Sequence, residues 1–122
     1  MGTASTLRAK VISLGTDAGS RVYPLRLPQG ATLPAICYMR VDGPSLVSHG
    51  GYSGLSHPRY QLDCYASSYL AVEALAEQLR DGLNAQRWGA TSFVENELDG
   101  EEDPEAGIYR RIVDVVLWIG EA

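Results

Sequence analysis

Two cysteines, two histidines and a run of carboxylates are the residues here that could do chemistry, and their spacing decides which chemistry is open to them. Cys37, His49, His57 and Cys64 are zinc-ligand types, but no C-x-x-C or H-x-x-x-H pair sets two of them close together. The cysteines fall in the middle of predicted strands, free to face each other across a strand pair. They read as small buried hydrophobes in a reduced compartment and not as a disulfide framework. His49 and His57 lie in a glycine-rich stretch, residues 43–58, with no nucleophile or carboxylate placed to make either a general base. Gly50, Gly51 and Gly54 lack the G-x-x-x-x-G-K-[ST] or G-x-G-x-x-G spacing that cradles a phosphate. Seven acids and no base run from Glu95 to Glu105, without the D-x-[DN]-x-[DN]-G spacing of a calcium loop, and read as a solvated hairpin tip. No catalytic, cofactor or metal residue is assigned, and an enzyme is not expected.

The charge has a pattern beyond its sum. The chain of 122 residues carries a net charge of −5, yet outside the acidic run eight acids face ten Lys and Arg. A mildly basic body with an acidic loop is not the footprint of a protein that grips nucleic acid by neutralising phosphates. Glu73, Glu77 and Asp81 stand at i, i+4 and i+8 of a predicted helix, where stacked like charges cost a few tenths of a kcal/mol, about 0.2–0.5 per pair. Such a ridge is either a solvated face or a surface that repels another polyanion. The length suits a single domain, residues 1–122, with one core. With no apolar run near 18 residues, no membrane span is expected. Met1 to Thr6 match the short myristoylation pattern, which is loose and here has no basic cluster after it.

The elements that must position these residues centre on residues 59–83. Tyr60, Leu62, Cys64 and Ala66 alternate with Arg59, Gln61, Asp63 and Tyr65, the period of a strand with one buried face. After Ser67 and Ser68, both N-cap candidates, Val72, Leu75, Ala76, Leu79 and Leu83 form the apolar stripe of a long helix. Leu7, Val11 and Leu14 predict a short helix over 5–14 that Gly15 stops. Residues 15–34, punctuated by glycine and proline, read as irregular apart from an extended piece at 21–23. Residues 35–42 predict a strand with Cys37, Met39 and Val41 on one face and Ile36, Tyr38 and Arg40 on the other. Residues 43–58 then form a projecting loop, 84–89 a turn, and 91–98 and 108–119 two further strands. The expected fold is α+β: a four-stranded, mainly antiparallel sheet in ββαββ order, with one long helix on one face and a short N-terminal helix. Tyr38, Tyr65, Ile112, Val116 and Trp118 are then left on the uncovered face, more apolar surface than a solvated face needs, which points to a partner subunit.

Several stretches together resemble the tail-completion family of long-tailed bacteriophages and phage-like particles, also termed tail-terminator or head–tail joining proteins. They are Arg21-Val22-Tyr23-Pro24 with Pro34 following; Arg59-Tyr60-Gln61-Leu62-Asp63-Cys64-Tyr65-Ala66 running into Tyr69 and Ala74; and Gly107-Ile108-Tyr109-Arg110-Arg111 with Asp114 and Trp118. The resemblance implies a virion structural protein without enzymatic activity or cofactor, assembled in the bacterial host cytoplasm. It implies a ring, commonly a hexamer, that ends the tail tube at the head-proximal end of the tail. The partners implied are further copies of the chain, the major tail tube protein, the head connector or stopper protein, and double-stranded DNA that passes without sticking. On that reading Tyr38, Leu46, Val47, Tyr52, Leu55, Tyr65, Val116 and Trp118 are candidates for subunit or tube contacts. Glu73, Glu77 and Asp81 are candidates for a DNA-repelling lumen. The alternative is a small α+β ligand- or RNA-binding module, which lacks aromatics at RNP-like spacing and a basic sheet.

Overall fold

The computed structural model describes residues 3–41, 55–100 and 106–120 of the chain. In chain order the elements are α1 (Thr3–Ser13), β1 (Val22–Pro24), β2 (Ala35–Arg40), β3 (Leu55–Ser56), β4 (Arg59–Ala66), α2 (Tyr69–Leu83), β5 (Gln86–Arg87), β6 (Thr91–Asp99) and β7 (Tyr109–Gly120). The strands lie side by side as β1-β2-β4-β7-β6-β5, and β3 also pairs with β7. β1 runs parallel to β2, and every other pairing is antiparallel.

The four-stranded ββαββ sheet expected from the sequence is therefore too small. The sheet is six strands wide, mixed, curled into a half-barrel and accompanied by two helices. β1 and β5 are three and two residues long, too short to show an alternating pattern, and they exist because β2 and β6 offer them an edge. β3, placed inside the predicted loop, shares one register with β4: Leu55 pairs with Gly120, Ser56 with Ile119 and Arg59 with Val116. The Pro58 carbonyl accepts from Leu117 N–H at 2.9 Å, but proline has no N–H to return. β3 and β4 are thus one strand interrupted at a proline.

The core follows the two periodicities. Val72, Leu75, Ala76, Leu79 and Leu83 of α2 are buried against Leu62 and Cys64 of β4 and Val113, Val115 and Leu117 of β7. The Ser68 hydroxyl caps α2 by accepting from Ala71 N–H at 3.1 Å. α1 contributes Leu7 and Val11 to the same core, packs over β1 and β2, and ends at Gly15, whose φ of +67° suits glycine. The turn that follows α1 comes close to α2, since a Cβ on Gly82 would lie 2.6 Å from Leu14 Cδ2. On the same flank of α2, Gln78 Oε1 accepts from Asp17 N–H at 2.9 Å.

The register corrects the faces assigned to β2. Tyr38 pairs with Leu62 and Ile36 with Cys64, so these even-numbered residues look towards the helices, and Tyr38 packs against the core. Tyr38 is not on the uncovered face. In β7 the assignment stands: Val113, Val115 and Leu117 point inward, while Ile112, Asp114, Val116 and Trp118 alternate with them.

Candidate functional site

The two cysteines, the residues of zinc-ligand type that lie in strands, do not converge. Cys37 pairs with Asp63 and Cys64 with Ile36, so the cysteines lie on opposite faces of the sheet and neither face each other nor share a ligand. Both are buried free thiols. Burial, with the Asp63 charge adding, pushes the Cys37 thiol up to about 11 and that of Cys64 higher still, so neither is a ready thiolate at neutral pH. His49 lies outside the described residues. His57 stacks on Trp118 instead, with ring centroids 4.5 Å apart and planes 21° from parallel.

The acidic run divides in two. Glu95, Glu97 and Asp99 belong to β6 and not to a loop, whereas Glu101, Glu102, Asp103 and Glu105 lie outside the described residues. Each described acid has a cationic partner. Arg59 bonds Glu95 across the outer face. On the helix-covered face Arg111, its side chain only 10% exposed, donates from Nε to Asp99 at 2.6 Å, from Nη1 to Glu97 at 2.7 Å and from Nη2 to the Tyr69 hydroxyl at 2.9 Å. The Tyr69 hydroxyl donates a hydrogen bond to the other Asp99 oxygen at 2.9 Å, and Arg80 of α2 reaches Glu97 at 2.8 Å. The hydrogen bonds from Tyr69 and Arg111 hold the Asp99 carboxyl below its ordinary range. Desolvation works against the Arg111 charge, but the bonds to Glu97 and Asp99 outweigh it and raise its pKa. This network clamps the first turn of α2 to β6 and β7. Sequence spacing shows none of it, because the partners stand 12 to 42 residues apart.

The sheet face turned away from the helices carries the other candidates. Tyr65 is half-buried, with the Arg110 guanidinium 6.0 Å from its ring centroid, and burial together with the Asp63 charge raises its hydroxyl pKa. Asp63, only 2% exposed, accepts from Arg110 Nη2 at 2.9 Å and Gln61 Nε2 at 2.8 Å. Desolvation and the charges of Asp63 and Glu95 also raise Asp114, against a hydrogen bond from Asn96. Trp118 is 42% exposed, whereas Val116 is almost covered. Phe93 and Leu98, missed in the sequence, join this face through their pairing with Val116 and Ile112. A bulge between Val94 and Asn96 brings an odd- and an even-numbered residue to one side. Leu55 is paired in β3, while Leu46, Val47 and Tyr52 lie outside the described residues. Glu73, Glu77 and Asp81 are exposed along α2. Gln78 and Gly82 of the same helix meet Asp17 and Leu14 of the turn after α1, and Arg80 is 3.6 Å from Glu77.

Among the described residues, no nucleophile and base are brought together. The buried charges tie elements to one another, and Phe93, Leu98 and Trp118 leave apolar surface turned outward. The model of a family described as "Tail completion protein gp17" matches residues 7–120, and the chain belongs to that family of phage tail structural proteins. Its place is the virion tail. Among solved structures the fold is similar to a chain in the virion of a native gene transfer agent particle, with a TM-score of 0.66 at 15% sequence identity over 98% of each chain. No curated protein sequence matches.

Proposed function

We propose that copies of this chain assemble into a ring, of six subunits, that terminates the tail tube and joins it to the head connector, leaving a channel for duplex DNA. The observation that carries this reading is the sheet face left bare in a tail protein: Phe93, Leu98 and Trp118 are each more than a third exposed there, beside Ile112 and Tyr65. A ring uses such a surface in heterologous contacts with copies or with the tube. A compact chain of this length has a diameter of about 35 Å, so six in contact leave a central hole of about the same width.

Glu77 and Asp81, exposed on α2, then face the DNA and deny it the cationic contacts that would hold it by counterion release. The tail tube protein and the head connector or stopper meet the two ring faces. Native mass measurement and negative-stain imaging of the full chain, alone and with tail tube protein, are expected to show rings on capped tubes. A strictly monomeric chain under both conditions would sink the proposal.

A further inference from the structure

Where β2 ends and β4 begins, Pro24, Leu25, Tyr38, Met39, Arg40 and Tyr60 line a mostly apolar groove of about 360 Å³. Leu25 at its lip is 63% exposed and has a φ of +66°, a conformation unfavourable for a residue with a Cβ. Its N–H is held by the Tyr38 carbonyl at 2.9 Å. Strain maintained at an exposed apolar residue is a feature of surfaces that bind. The rim is cationic: Arg26 follows Leu25, Arg40 lies in the lining, and both are exposed.

The opposite end of the strands carries the complement. α2 begins there, just beyond the pairing of Ala66 with Tyr109, whereas the groove lies at the pairing of Arg40 with Tyr60. Leu70, in the first turn of α2, is 76% exposed. Glu73 follows one turn later, also exposed. The difference in sign extends beyond these positions. Residues 3–41 contain Arg8, Lys10, Arg21, Arg26 and Arg40 against Asp17, while α2 has Glu73, Glu77 and Asp81 against Arg80.

We propose that the groove of one copy receives Leu70 from the first turn of α2 of a second copy, with Glu73 set against Arg26. This rests on the ring reading and names the contact that would build it. Knob and groove lie at opposite ends of the same domain. A pair joined this way keeps one free knob and one free groove, and addition continues until a ring closes. It also separates the α2 acids into two uses, Glu73 at the subunit contact and Glu77 with Asp81 towards the channel.

Sedimentation of the full chain over a concentration series, with and without tail tube protein, tests the assignment alongside imaging. Leu70→Ser is expected to weaken association about tenfold or more, the effect of one lost leucine burial. Arg26→Glu and Glu73→Arg are each expected to weaken it, and the double exchange to restore it. All three positions are exposed, so monomer melting temperatures should stay level and separate assembly from folding. Rings that form equally well from Leu70→Ser, or charge-reversed variants that fail to rescue each other, overturn the groove assignment and leave the ring reading standing. A wild-type chain that forms no ring under any of these conditions overturns both.

Discussion

Arg111 of β7 joins two carboxylates of β6 and a phenol of α2, so its geometry matters more than its charge. A lysine there has one ammonium to share among Asp99, Glu97 and Tyr69, where the guanidinium offers a planar fork. Arg111→Lys is expected to cost about 2 kcal/mol in urea unfolding, below the figure for a fully buried pair because Asp99 is 45% exposed. The pH dependence follows from the depressed Asp99 carboxyl. Its contribution is complete above its unfolded pKa, near 4, and is lost as pH falls through the lower folded value. Wild-type stability should decline through that acidic window, and Arg111→Lys should decline less steeply. Equal slopes would mean that Asp99 is not linked to folding through Arg111. Tyr69, Arg110 and Arg111 stand out in the sequence as part of a family signature, but their roles do not, because the contacts that give those roles cross to β7 from α2 and from β4.

At the scale of elements, the approach of the turn after α1 to α2 depends on one missing side chain. Gly82 lies inside a helix, where alanine would gain about 1 kcal/mol of propensity in isolation. Here the added Cβ would overlap Leu14, at 2.6 Å from one methyl and 2.7 Å from the other. Gly82→Ala is therefore expected to destabilise by about 1–2 kcal/mol in thermal unfolding and to loosen hydrogen-exchange protection in α1 first. Combining it with Leu14→Ala should recover part of the loss. A Gly82→Ala protein more stable than wild type would show that this turn and α2 separate without penalty. The sheet teaches a related lesson about register. Alternation in β2 correctly groups Ile36 with Tyr38, but only the pairing with Cys64 and Leu62 decides that this group meets the helices. In β6 the bulge at Glu95 changes the parity, so Phe93 and Leu98 share a face that strict alternation denies them.

For the whole molecule, the placement of charge matters more than the net value of −5. The described acids of β6 are matched to arginines, which leaves Glu77 and Asp81 among the exposed negative charges of the helix layer. If they face DNA, the variant Glu77→Lys with Asp81→Lys should form rings as readily as wild type but bind duplex DNA. That binding should weaken steeply with salt, as phosphate contacts do. Filter binding over a salt series reads this directly, and an assembled variant that ignores DNA at low salt removes these residues from the channel.

The sequence by itself determined the elements long enough to repeat a pattern: β2, β4, β6, β7, the stripe of α2, its Ser68 cap and the Gly15 stop of α1. It also carried the family resemblance, because those motifs are local. The tertiary structure alone decided that Val22–Pro24 and Gln86–Arg87 widen the sheet, that Tyr38 faces inward, and that Arg111 gathers Glu97, Asp99 and Tyr69. The physical reason is common to all three. A periodic pattern states which residues share a side of their own element, whereas the edge, the face and the ionic partner are set by the neighbouring element, which comes from elsewhere in the chain.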